Sequence, residues 1–303
     1  MIRALVTGAR GQVGTELVRE LAGRVEVIAH DRSTLDLADP AQIAARVREA
    51  RPDLIVNAGA YTAVDKAETD AEAARAVNAV APGVLGEEAR RANALLVHFS
   101  TDYVFDGTKR SPYVESDATN PLGVYGSTKL AGERAIAAAG CRHVILRTSW
   151  VYGPHGKNFM LTMLRLAEGR DELRVVDDQR GAPTSSRALA RLVRELLDRN
   201  GDLDEIARAE VDQCAERSGL YHATAAGETT WFGFAQAIFN EMSRRDRGAR
   251  VPRLVPITTR EYPMPARRPA NSVLSNARLH DAFGVSIPDW RRGLEESVSA
   301  LPA

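Results

Sequence analysis

Leu5-Val6-Thr7-Gly8-Ala9-Arg10-Gly11-Gln12-Val13-Gly14 decides how the rest of the chain is read. A short apolar run closes on Thr7, and three glycines follow at intervals of three. An amphipathic pattern, Gln12–Leu21, then starts without a break. An apolar run of this length, bounded by glycine, reads as a buried strand, and the pattern after it as a helix. In a strand–turn–helix of this kind, Gly8, Gly11 and Gly14 bring the backbone close to a pyrophosphate, whose charge sits at the helix N-terminus. The spacing G-x-x-G-x-x-G differs from the commoner G-x-G-x-x-G. Glycine turns also serve as plain structural devices, so the context carries the weight.

That context repeats downstream. Ile2–Thr7, Val25–His30, Asp53–Asn57, Ala94–Ser100 and His143–Thr148 read as buried strands. Gln12–Leu21, Pro40–Ala50, Glu68–Asn93 and Tyr125–Ala139 read as helices between them. Asp39-Pro40 opens the second helix with an N-cap and a proline at the first helical position. Alternation of this kind predicts an α/β chain with a Rossmann-type, doubly wound parallel sheet covered on both faces. After Trp150 the rhythm loosens. Residues 1–150 are expected to form a dinucleotide-binding domain. Residues 151–303 are expected to form mainly a smaller α/β substrate-binding lobe, with some segments returning to the core. The charged stretch Asn200–Ser218 reads as a loop or irregular helix.

The 303 residues carry 40 basic and 40 acidic side chains, so no global field favours a nucleic acid polymer or an anionic membrane. Two distant cysteines, Cys141 and Cys214, indicate neither a disulfide framework nor a zinc site and fit a reducing compartment. No run approaches the about 20 apolar residues of a membrane span, nor the apolar core of a signal peptide. A cytoplasmic protein is expected.

Asp31 closes the second strand, where an acid binds the adenosine ribose of NAD. Arg32 beside it, or Arg10 in the glycine loop, is instead suited to a 2′-phosphate. NADPH is expected, with NADH also accommodated. Asp36-Leu37 and Asn57-Ala58-Gly59-Ala60 follow strand ends, which line the ligand crevice of such a sheet. Tyr125 and Lys129, four residues apart, share one helical face. An ammonium there would lower the tyrosine pKa, and the phenol could protonate a carbonyl oxygen as hydride arrives. Thr101, ending the fourth strand, could hydrogen-bond the same oxygen.

At these residues the chain resembles the extended short-chain dehydrogenases and, within them, the dTDP-4-dehydrorhamnose reductase family. The carrying segments are Leu5–Gly14, Val56–Glu68, Ser100–Asp106, Pro121–Glu133, Arg147–Gly153 and Tyr262–Leu274, in the family's order along nearly the whole chain. The resemblance implies reduction of the C4 keto group of dTDP-4-dehydro-L-rhamnose to dTDP-L-rhamnose. It implies that Gly11, Gln12, Val13, Asp31, Asp36, Leu37, Ala60, Tyr61 and Thr62 contact the cofactor, joined by Tyr125 and Lys129. Thr101, Asp102 and Trp150 then contact the sugar. The loop Arg267-Arg268-Pro269 suits a diphosphate, with Arg268 as its donor. Some relatives link two subunits through magnesium held by glutamates. Glu16 matches one such position, but Arg187 stands where a second glutamate is expected, so no metal is expected and monomer and homodimer both stay open. Three other readings also stay open: a reductase of another dTDP-4-keto-6-deoxy sugar, a dehydratase or epimerase on the same scaffold, and a non-catalytic regulatory subunit.

Overall fold

The computed structural model describes residues 1–198, 206–246 and 248–302. Its central sheet uses the strands β1 (Arg3–Thr7), β2 (Glu26–His30), β3 (Leu54–Asn57), β4 (Leu95–Thr101) and β5 (His143–Thr148), with Gly219–His222 as an edge strand. The order is Gly219–His222, β5, β4, β3, β1, β2, and every pairing is parallel. Strand order reverses at β1, which pairs with β2 on one side and β3 on the other. A crevice therefore opens at the carboxyl ends of β1 and β3, the place where such sheets bind ligands.

The strands are apolar at successive positions because both faces are covered. Ala4, Val6, Leu54, Val56, Val97 and Leu146 pack toward Leu17 and Leu21 of helix α1 (Gln12–Leu21) and toward the helix Ser186–Leu197. Leu5, Ile55, Leu96 and Ile145 pack on the opposite face against Ile43 and Val47 of α2 (Pro40–Ala50), Leu85 and Ile136. The Asp39 carboxylate caps α2, accepting from the backbone N–H of Ala41 at 2.9 Å and Gln42 at 3.1 Å.

Two departures from the sequence reading are instructive. The expected single helix Glu68–Asn93 is broken into Ala71–Arg75, a π-helical turn Ala76–Val80, and Ala81–Ala92, with a separate short helix Val64–Ala67 before it. Periodicity cannot register the extra residue of a π turn, which here sets Asn78 inward. The stretch expected as a loop contains a regular helix, Arg208–Ala215, with Val211, Cys214 and Ala215 buried under its charged face. Positions 200–205 of that stretch lie outside the described residues.

The second half is divided in its allegiance. Ser186–Leu197 lies along α1, and Gly219–His222 extends the main sheet beside β5. Glu172–Val176 and Arg253–Ile257 form a separate parallel pair, flanked by the helices Phe159–Gly169 and Trp231–Arg245. No helix among the described residues is long and apolar enough to cross a membrane.

Candidate active site

The glycine turn is built for close approach. Gly8 has φ +65°, and a Cβ there would stand 2.7 Å from Gly59 on the loop after β3. The Gly11 N–H donates to the Gly8 carbonyl at 2.8 Å. Gly11 caps α1 with no side-chain hydrogen bond, and Gly14 is buried in its first turn. Among the described residues, the first N–H groups of α1 therefore have no side-chain acceptor. Val13 packs on the core, and the Gln12 side-chain carbonyl accepts from Asn158 Nδ2 at 2.9 Å, tying the turn to the second half.

Asp31 stands at the end of β2 and accepts from the Ser33 N–H at 2.8 Å and the Ser33 hydroxyl at 2.5 Å. These bonds, with Arg10 at 3.6 Å, hold its carboxyl below the usual range. Arg10 and Arg32 are both exposed beside it. Asp36 turns its own loop by accepting from the Ala38 N–H at 2.9 Å, and Leu37 packs over Gly59. Of the segment Ala60-Tyr61-Thr62, Tyr61 is fixed on three sides. Its N–H donates to Asn78 Oδ1 at 2.9 Å, its carbonyl accepts from Asn78 Nδ2 at 3.0 Å, and its hydroxyl donates to Asp70 at 3.0 Å.

The other wall of the crevice is the helix Val124–Ala139, packed on the end of β4. At Gly126 a Cβ would collide with the Tyr103 carbonyl, so glycine lets this helix settle onto the turn after β4. The Tyr125 ring meets Tyr103 edge-on at 5.7 Å, and its hydroxyl is within hydrogen-bonding reach of Thr101. The Thr101 hydroxyl donates to Asp102 Oδ1 at 3.0 Å and accepts from the Tyr103 N–H at 3.2 Å. Asp102 is buried, and its Oδ2 has no partner among the described residues. Burial pushes its carboxyl up to about 6.

Lys129 is 2% exposed. Its ammonium donates to the Phe99 carbonyl at 2.6 Å and lies 3.2 Å from His98 Nε2. The nearby carboxylate, Glu133, is taken by Arg147 at 2.7 and 2.9 Å and by the Ser100 hydroxyl at 2.5 Å. Burial lowers Lys129 to about 8, with Glu133 opposing. The Tyr125 hydroxyl is raised to about 12, chiefly by burial, although the Tyr–Lys spacing led us to expect a lowered value. The reason is geometric: the ammonium donates to the Phe99 carbonyl, and burial of the phenol dominates.

Beyond Tyr103 the crevice widens into a cavity of about 1150 Å³. Phe159, Met163 and Leu166 supply apolar wall, and Arg170, Arg174, Arg267 and Arg268 line it as well. Arg268 donates to Asp65 Oδ2 at 2.8 Å, which fixes its guanidinium beside Tyr103. Trp150 follows β5 in a left-handed conformation, φ +47°, uncommon for a bulky side chain. Its ring lies over Gly181 and stacks on Trp231 at 3.6 Å, with 8° between planes. The Trp231 indole donates to Gln179 at 3.2 Å.

The structure thus brings Thr101, Asp102, Tyr125 and Lys129 together, and sets the glycine turn, Asp31 and Tyr61 along the neighbouring crevice. Sequence reasoning missed Asn78, Trp231, Asp65 and His98. An asparagine within a helical pattern was the available signal for Asn78; His98 sits inside an apolar run and gave none. Glu16 is held by Arg19 at 3.3 Å and His155 at 2.9 Å. No cluster of potential metal ligands occurs among the described residues.

A doubly wound sheet, a glycine turn at its first crossover and a Thr–Tyr–Lys set at the end of β4 define a nicotinamide-dependent oxidoreductase of the extended short-chain dehydrogenase class. The family model described as RmlD substrate binding domain matches residues 2–302, and the chain belongs to this family. The chain is 50% identical over 295 residues to the dTDP-4-dehydrorhamnose reductase of Burkholderia thailandensis, covering 96% of each. It is 42% identical over 301 residues to that of Escherichia coli K12, covering 98% of this chain and 97% of the relative. Among solved structures, the dTDP-4-dehydrorhamnose reductase of Bacillus anthracis in complex with NADP superposes with a TM-score of 0.88. It shares 32% identity over 98% of this chain and 99% of that one.

Proposed function

We propose that the chain reduces the C4 keto group of dTDP-4-dehydro-L-rhamnose to give dTDP-L-rhamnose, using NADPH and accepting NADH. The observation that carries this reading is the buried Tyr125 hydroxyl within reach of Thr101, with Tyr103 standing between the Tyr125 ring and an arginine-lined cavity. The turn at Gly8 and Gly59 leaves no room for side chains, and the uncapped start of α1 suits a pyrophosphate. Asp31 is preset for a ribose hydroxyl, and the exposed Arg32 and Arg10, the latter 3.6 Å from the Asp31 carboxylate, suit a 2′-phosphate. These residues fit a nicotinamide dinucleotide, which supplies the hydride when bound.

Tyr125 donates its proton to the C4 oxygen, and Thr101 orients that oxygen. The neutral phenol is the form a reduction needs, and its raised pKa keeps it so at neutral pH. Lys129 supplies the positive charge that steadies the phenolate left behind. Asp102, with its buried and unpartnered Oδ2, receives a sugar hydroxyl, and Trp150, stacked on Trp231, forms a wall beside the sugar. Arg268 and Arg267 take the diphosphate, and the wall of Phe159, Met163 and Leu166 takes the base. A dehydratase needs a second acid beside Asp102, but Tyr103 occupies that position and packs on Tyr125. We place the activity in the cytoplasm, where the free, buried thiols of Cys141 and Cys214 persist. The test is to supply purified protein with NADPH and a panel of dTDP-linked keto sugars and determine the C4 stereochemistry of each product. dTDP-L-rhamnose from the first substrate supports the reading, and turnover confined to another keto sugar overturns the substrate assignment.

A further inference from the structure

A row of polar side chains crosses the middle of the central sheet. Thr7 on β1, Asn57 on β3 and His98 on β4 are register partners, all fully buried among aliphatic neighbours. Each is bonded to the next. The Thr7 hydroxyl donates to Asn57 Oδ1 at 2.6 Å, and Asn57 Nδ2 donates to His98 Nδ1 at 2.9 Å. His98 Nε2 then faces Lys129 Nζ at 3.2 Å. Three buried polar groups at one level of a sheet are costly unless they act as one network.

Donor counting gives the row a direction. Thr7 Oγ accepts the Gly59 N–H at 3.4 Å and has one proton, which goes to Asn57. The Asn57 carbonyl is thereby used, so its NH₂ occupies the lone pair of His98 Nδ1. The single hydrogen of a neutral imidazole must then sit on Nε2, pointing at Lys129. A neutral amine accepts that hydrogen through its lone pair, whereas an ammonium offers only donors in return. The ring stays neutral because burial, reinforced by the Lys129 charge, holds His98 well below the usual histidine range.

We propose that Thr7, Asn57 and His98 are positioning residues that aim a hydrogen at Lys129 Nζ and so ease the release of its proton during turnover. The inference rests on Tyr125 and Lys129 being the proton-handling pair. Tyr125 gives its hydroxyl proton to the C4 oxygen, and the phenolate is refilled by a proton from the Lys129 ammonium. The resulting amine accepts the His98 Nε2–H, and solvent later returns the proton to Lys129. The charged and titratable groups around Lys129 are Tyr125 and Glu133 on its own helix, His98 and the following Asp102 on the β4 side, and Arg147 on β5. Arg147 is locked to Glu133.

The test is the pH profile of kcat/KM, whose alkaline limb reports loss of the Lys129 ammonium and is expected near pH 8 in the unsubstituted protein. His98→Leu removes the opposing N–H and should move this limb upward by about one pH unit while lowering kcat about tenfold. His98→Gln, which can present an amide N–H to Nζ, should restore most of both. Thr7→Val frees the Asn57 amide to turn and should move the limb in the same direction by less; it carries the test if His98→Leu does not fold. A fall in rate with the limb unmoved in these variants means a packing role and overturns the proposal. Tyr125→Phe separates this failure from that of the assignment beneath it. If Tyr125→Phe keeps near-native turnover, the proton pair itself is wrong. If it is inactive and the limb of the Thr7 and His98 variants stays put, only the relay is wrong.

Discussion

The two ends of the crevice are built differently. At the proton end, Thr101 and Lys129 sit on a strand and a helix of the main sheet layer, nearly inaccessible, and held by buried side-chain bonds. At the cavity end, Arg174, Glu261, Arg267 and Tyr262 stand largely on loops and exposed edges. The Arg174–Glu261 pair there, at 2.9 Å, is about half exposed on both sides. Regular elements under burial fix atoms to the tolerance that proton transfer needs, while exposed pairs contribute little and can be exchanged. On the proposed function, the reaction belongs to the sheet layer and the choice of nucleotide sugar to the second half.

If this division is right, the largest effect belongs to the proton end. Tyr125→Phe should lower turnover by about 10²–10⁴-fold while cofactor affinity, measured by nicotinamide fluorescence titration, stays near native. At the cavity end, Arg268→Ala removes a charged donor and strands Asp65. It should raise KM for the nucleotide sugar by roughly 10–100-fold with kcat changed much less. A kcat collapse with unchanged KM in Arg268→Ala would erase the distinction between the ends.

Asp102 sharpens the comparison through stability. Its carboxyl is raised from 3.8 to about 6, so its contribution to stability is fully present below pH 3.8 and is lost as pH rises through about 6. At pH 7 the buried charge costs on the order of 3 kcal/mol as an upper figure. Asp102→Asn should therefore raise Tm by a few degrees at pH 7 and lose that advantage below about pH 4, as thermal melts across pH will show. Activity should fall in the same variant, because the sugar loses its acceptor. A smaller effect is expected at the exposed Arg10: Arg10→Ala should reduce the NADPH/NADH ratio of kcat/KM by less than about tenfold. Removal of divalent ions should change least. Exhaustive EDTA treatment is expected to leave turnover and gel-filtration behaviour as they were, since Glu16 is already occupied by Arg19 and His155.

The same contrast governs what could be read from the sequence. The first five strands and helices α1 and α2 were legible because buried parallel strands and capped amphipathic helices leave periodic marks. The glycine turn and the Tyr125/Lys129 spacing were legible because local geometry carries them. Asn78 was not, because the π turn that points it at Tyr61 breaks the period by one residue. His98 was not, because its meaning comes from register with Asn57 and Thr7 across strands distant in sequence. Trp231 pairs with Trp150 across the lobe for the same reason, and Arg268 is aimed by Asp65, about 200 residues earlier.

The central claim is that Tyr125 delivers a proton to the C4 oxygen of a dTDP-linked keto sugar held by this crevice. Its most direct test is a single-turnover reaction of dTDP-4-dehydro-L-rhamnose with NADPH on the unsubstituted protein and on Tyr125→Phe, with the product identified by NMR. The account predicts dTDP-L-rhamnose, formed with stoichiometric NADPH oxidation, from the first protein and at most about 1% of that rate from the second. Equal rates for the two proteins, or NADPH left unoxidised by the unsubstituted protein, would contradict it.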